Sequence, residues 1–442
     1  RDLHPRVRRQ RLMCISDSFL AADGSRVTRE DSCAGYVSQM ECYADFGFFP
    51  RKDDCYWESP FTSYTYDKYA YEDACRESVL GKRTYTLCDS LTATDASYLV
   101  EPVDGLWLLA IDGGVYLPKE MKDGKWTYQG SSAGYNLVLK HKPFLLPWVR
   151  KVVEEARKRH KTLVAFSHYP LVDFNDGVSE SVRRMWGDRC FDLHRVPEAE
   201  VSEAFLQVGL RLHFAGHMHV NDTGIWEGKD GKHLYNIQVP SIATYVPAYK
   251  ILTIESDEVF RVETVMLDTV PGFDSLFPLY RAEYQSDSLR GHSPVWNKEI
   301  LSARTYGEFC DYQFRDLVRL RFIPRDLPES WQACLDFTGA RMLKAVSGED
   351  KSDDADWTDW CMKDLVLDLY RLRYAERLAL KDIPETRLAA YRYLFDRARI
   401  SPLRSAEVEI VNGLGTLFLA FLNGEPCQNF VIDLEKDAIT GD

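Results

Sequence analysis

Thr162–Pro170 reads TLVAFSHYP and Arg211–His219 reads RLHFAGHMH. Each opens with a short apolar run, TLVAF or RLHFA, of the kind expected for a strand buried on both faces. Each run then turns and delivers histidine: Ser167-His168-Tyr169-Pro170 in the first, Gly216-His217-Met218-His219 in the second. An earlier run, Leu106–Ile111 (LWLLAI), ends at Asp112 in the same way. Between these runs the pattern is helical. Pro147–Lys161 has Pro just inside its start, apolar Trp148, Val152, Val153 and Ala156, and basic residues at its end, while Pro197–Val208 predicts a second helix. Strands alternating with helices predict an α/β fold around a parallel sheet. Ligands of such sheets bind at the strands' C-terminal ends, where His168, His217 and His219 fall.

Outward from this centre the character changes. Residues 1–100 are polar, rich in Tyr, Asp and Ser, and weakly periodic, as long surface excursions would be. Beyond about residue 268, Asp316–Arg319, Trp331–Val346, Trp357–Leu380 and Thr386–Arg399 carry apolar residues at three- and four-residue spacing, which predicts helices around the charged loop Gly348–Asp356. The apolar run Leu414–Leu422 is too short to span a bilayer. With 442 residues the chain has room for two or three domains. Its 55 Lys and Arg against 68 Asp and Glu give a net charge of −13, which argues against nucleic acid or an anionic membrane as the main partner.

The histidines carry the chemistry. On an extended segment His217 and His219 would point to one face, and neutral imidazole is the commonest nitrogen ligand of divalent metals. The plain alternative is two ordinary surface or core histidines. Other metal and nucleophile motifs fail: His219 is followed by Val220-Asn221-Asp222 and not by a third histidine, and no C-x-x-C or G-x-S-x-G occurs. Gly113-Gly114 and Gly413-Leu414-Gly415 lack the flanks of a phosphate loop. Asp173, Asn175 and Asp176 read either as the rim of a site or as a solvated loop.

Phe166–Pro170 and Phe214–His219 resemble the last two motif blocks of the calcineurin-like metallophosphoesterases. Tyr98–Pro102, Leu106–Asp112, the strand-like Pro240–Ala243 and Tyr249–Ile254 fit the same frame. Tyr43–Gly47 and the helical tail are similar to a bacterial subgroup with a C-terminal helical appendage. The resemblance covers roughly residues 40–267. It implies a four-layer α/β/β/α sandwich over residues 1–267, truncated at its N-terminus, and a mainly helical domain over 268–442. It also implies two divalent ions (Mn, Fe or Zn), with His168 and His217 on one and His219 on the other. The reaction would be hydrolysis of a phosphomonoester or diester by a metal-bound hydroxide.

The family's first three blocks, D-x-H, G-D and G-N-H-[DE], depart from this sequence: no G-N-H occurs, and no G-D precedes His168. Asp2-Leu3-His4 spells D-x-H with no strand before it. The expectation is that Arg1-Asp2 follows a missing third block, with Asp2 its last acid, so that the segment alone would not turn over substrate. The alternative is a degenerate relative used for binding or as a scaffold. The tail's plainest role is to cover the sheet's flank, its other role an interaction surface. Six cysteines (Cys14, Cys33, Cys42, Cys55, Cys75, Cys88) fall in the first 88 residues, which suits either three disulfides in an exported protein or reduced thiols. Placed as insertions in the sandwich, they tilt the reading toward export.

Overall fold

The computed structural model describes residues 18–20, 26–28, 40–88, 91–122, 125–128, 134–188, 190–289 and 296–441. Asp2, Cys14 and Cys33 lie outside them. Cys42, Cys55, Cys75 and Cys88 form no disulfide.

The fold is mixed α/β. Seven strands form one sheet: β1 (Tyr56–Glu58), β2 (Tyr98–Val103), β3 (Leu106–Ala110), β4 (Thr162–Ser167), β5 (Leu212–Ala215), β6 (Asp222–Glu227) and β7 (His233–Gln238), in the order β6-β7-β5-β4-β3-β2-β1. The four central strands β3, β4, β5 and β7 are parallel, and the antiparallel β1, β2 and β6 lie toward the edges. A second, antiparallel sheet is built from β8 (Ala248–Ser256), β9 (Val259–Met266), β10 (Asn429–Asp433) and β11 (Ala438–Gly441).

Side-chain alternation along the strands sorts the two faces. Trp107, Leu109 and Ala165 meet α1 (Leu145–Lys158) and α3 (Ala199–Gln207) through Trp148, Val149, Val152 and Phe205. Val164, Leu212, Tyr235 and Ile237 point the other way, onto Phe260, Val262, Phe430 and Ile432 of the second sheet. Helices, large sheet and small sheet therefore stack in that order. On the outer side of β8, Tyr249 and Ile251 are exposed.

Helices of the C-terminal part make a body of their own, including α4 (Tyr306–Leu317), α5 (Gly339–Ser347), α6 (Met362–Ala375), α7 (Glu385–Ile400) and α8 (Ala406–Leu422). Its core takes in Phe174, Val178, Phe191, Met218 and Val220 from loops that follow β4 and β5, and Val182 from the short helix α2 (Ser179–Trp186). The helices of the tail thus dock on the strand-end loops, where the histidines are, while its last strands cover a face of the large sheet. The tail therefore contains β10 and β11, so residues 268–442 are not helical throughout. Helix α8 runs through the middle of this core, with Leu414, Leu417, Phe418 and Phe421 at 1% exposure or less. Its Gly415 lets Phe395 approach so closely that a Cβ would sit 2.9 Å from the ring.

Three expected elements differ: Trp357–Leu380 is broken at residues 359–361 and turns to a 3-10 helix after Ala375. Pro240–Ala243 forms a turn between β7 and β8 instead of a strand. Trp331–Val346 is not one helix: Thr338 caps α5 by accepting the Arg341 N–H, and the chain between Gln332 and Gly339 is bent.

Candidate functional site

The parallel register places the histidines side by side. Ser167 on β4 pairs with Ala215 on β5, so the next residues, His168 and Gly216, leave adjacent strands at the same edge, with Gly216 N–H donating to the His168 carbonyl at 3.2 Å. His217 Nδ1 lies 2.6 Å from His168 Nε2, and the two rings meet nearly edge-on with centroids 4.5 Å apart. Tyr169, buried behind them, backs the His217 ring at 4.5 Å.

The reason for the pairing differs from the one expected. Residues 216–219 are not extended: His217 and His219 both have positive φ, 57° and 59°, and Met218 between them is buried. Left-handed backbone at two non-glycine residues is sterically costly, and such strain persists at functional sites. It leaves His219 exposed and His217 half-buried, while Met218 anchors the loop in the helical body. His168 and His217 come together; His219 lies exposed beside them.

Electrostatics keep the pair neutral. Partial desolvation and the charge of Arg195 lower the His168 pKa, and burial, with Arg195 and His168 itself, lowers that of His217 to about 3. Neutral imidazole is the metal-binding form. Arg195, held by Asp192 through a 2.8 Å ion pair, was not legible as a site residue because it lies in no motif. A fixed guanidinium beside two neutral imidazoles can hold an oxyanion. No family model matches the sequence, and no curated protein matches it.

Asp173, Asn175 and Asp176 prove to be neither rim nor solvated loop. Asp173 accepts the Ser179 hydroxyl at 2.8 Å, and the fully buried Asn175 accepts from Arg373 of α6 at 3.2 Å. They join the sheet to the helical body. Asp176 turns toward Asp222 and Glu376, which are the only convergent trio of ligating side chains among the described residues.

Behind the histidines sits a polar brace. Buried His213 on β5 donates from Nδ1 to Asn236 Oδ1 (2.8 Å), which also takes the Leu171 N–H (2.9 Å), and its Nε2 contacts Ser167 Oγ at 3.0 Å. Burial lowers the His213 pKa to about 4, well below its ordinary 6.5. The unfolded chain then binds the proton first. Stability from this group is complete above about pH 6.5 and falls as pH drops toward 4, by about 3 kcal/mol in all. Urea unfolding of chelator-treated protein should show a smaller loss between pH 7.5 and 5 for His213→Gln than for the unaltered chain. Equal losses would remove His213 as a source.

Proposed function

We propose that His168, His217 and His219 are the histidine part of a divalent-metal centre acting on a phosphoester, in a sandwich of the metallophosphoesterase type. The observation that carries this is the contact of two neutral imidazoles, delivered by adjacent parallel strands to the edge where such sheets bind ligands. The two packed sheets fit that frame, and the exposed Tyr249–Ile251 side is where a fourth, helical layer would lie. His168 and His217 would hold one ion, His219 a second, and Arg195 would steady the phosphoryl oxygens. When bound, the metal supplies a lowered water pKa and charge stabilisation at phosphorus.

Cobalt(II) reports nitrogen ligation by its visible spectrum. Titrating metal-free protein with cobalt should give a spectrum that His217→Ala weakens by at least about tenfold in affinity. An unchanged spectrum in that variant would sink the assignment. A second reading, binding without hydrolysis, has its own support: among the described residues no carboxylate joins two of these histidines in a convergent trio of ligating side chains. Cobalt binding with no release of nitrophenol from p-nitrophenyl phosphate or its diester would select it.

A further inference from the structure

We propose that Asp176, Asp222 and Glu376 form a binding site for a hard divalent cation of the calcium or magnesium class, which clamps the helical body onto the sheet. The three acids come from three places: the loop after β4, the first residue of β6, and the residue that ends α6. One carboxylate oxygen from each lies within 4.8 Å of the other two. Calcium–oxygen bonds of roughly 2.3–2.6 Å allow one ion to touch oxygens so spaced.

Glu376 meets Asp222 and the buried Cys427 thiol through side-chain hydrogen bonds, yet each of the three acids keeps one buried oxygen with no donor. Asp222 and Glu376 are 3% and 2% exposed, and Asp176 Oδ2, Asp222 Oδ2 and Glu376 Oε1 are buried with no hydrogen-bond donor. Buried carboxylate oxygens need a donor, a proton or a cation. Lys250 is the ammonium whose charge reaches Asp222 and Glu376, but it does not serve them. Its three N–H bonds have three neutral acceptors: Asn221 Oδ1 at 2.7 Å, Thr264 Oγ1 at 2.9 Å and the Cys427 carbonyl at 2.7 Å.

Gly424 closes another side of the cluster. A Cβ there would come within 2.8 Å of Asp176 Oδ1 and 3.1 Å of Glu376 Oε2, so backbone approaches where no side chain fits. Without a cation, burial and mutual repulsion push Asp176 up to about 8, Asp222 up to about 7 and Glu376 well above its ordinary range. Protons are therefore the competing occupant. The three convergent groups are carboxylates, which select hard cations over the softer metals that imidazole prefers, and burial keeps the neighbouring Cys427 thiol protonated. The site shares none of the three histidines, so it stands or falls separately from them.

The test titrates the chelator-stripped full chain with calcium chloride and with magnesium chloride by calorimetry, and follows thermal unfolding in parallel. We expect one site per chain, a raised Tm, and affinity at least about tenfold weaker in both Asp222→Asn and Glu376→Gln. Binding should persist in His168→Ala/His217→Ala. Terbium luminescence displaced by calcium reads the same site in the unaltered chain should those carboxamide variants fail to fold. The proposal is overturned by no heat and no Tm shift at millimolar calcium or magnesium, by terbium that calcium does not displace, by binding that survives both carboxamide substitutions, or by binding lost with the histidines.

Discussion

Lys142→Met should cost about 3–5 kcal/mol of unfolding free energy, because it strands two buried carboxylates. Lys142 Nζ and the Asp95 side chain are fully buried and Asp112 nearly so; the ammonium bonds Asp95 Oδ2 at 2.8 Å, Asp112 Oδ2 at 2.9 Å and the Asp112 carbonyl at 2.8 Å. Burial alone would lower the lysine's pKa, yet the two carboxylates outweigh it and hold the group charged. The rest of the network is satisfied: Ser97 N–H donates to Asp95, and Ala96 and Gly114 N–H donate to Asp112. Methionine fills the volume and removes only the charge and its donors. Urea unfolding at pH 7.5 measures the loss, and Lys142→Met/Asp95→Asn should recover part of it. A loss below about 1 kcal/mol in the single variant would mean that water or protons already neutralise the acids.

This network also bears on the histidines. Asp112 ends the β3 stretch, and Ile111 beside it donates its N–H to Phe166 on β4 at 3.0 Å, two residues before His168. Loosening Lys142 should therefore weaken cobalt binding at His168 and His217 before it unfolds the chain.

Local pattern told most where the side chains are apolar. The runs TLVAF and LWLLAI became β4 and β3 almost residue for residue, since a buried parallel strand has no polar face to interrupt it. β7 escaped notice because its HLYNIQ carries Asn236 and Gln238, both buried; the Asn236 carbonyl oxygen is satisfied by His213 and Leu171, partners far away in sequence. Helix α8 escaped because its two glycines and the nearly unbroken apolar run Leu417–Leu422 blur the narrow polar stripe of Glu409, Asn412 and Thr416. His217 and His219 were found through the wrong geometry: spacing suggested an extended pair, while the chain uses left-handed backbone. The trio Asp176, Asp222 and Glu376 spans 200 positions, and no local spacing could have announced it.

The boundary at residue 267 yields the other large effect. A chain ending there should fail to fold, although it keeps every strand of the large sheet. It would lack β10 and β11, whose Phe430 and Ile432 are 1% and 0% exposed and pair with Val262 and Phe260 on β9. Their loss uncovers Val164, Leu212, Tyr235 and Ile237 on the large sheet and leaves β9 as a bare edge. A polar tie goes with them: Asp437 pairs with Arg211 and accepts from His233 N–H and Tyr235 Oη, both at 3.2 Å. In the full chain Phe430→Ala alone should cost about 3–5 kcal/mol, read by urea unfolding. The shortened chain should aggregate or expose apolar surface to a dye, and fusing residues 425–441 to its end through a flexible linker should restore cooperative unfolding. If the shortened chain melts cooperatively without that hairpin, the second sheet does not need its C-terminal strands. If the hairpin rescues it, the helical body is an insertion between strands of one sheet, and its place over the histidine loops is fixed from both ends of the chain that enters and leaves it.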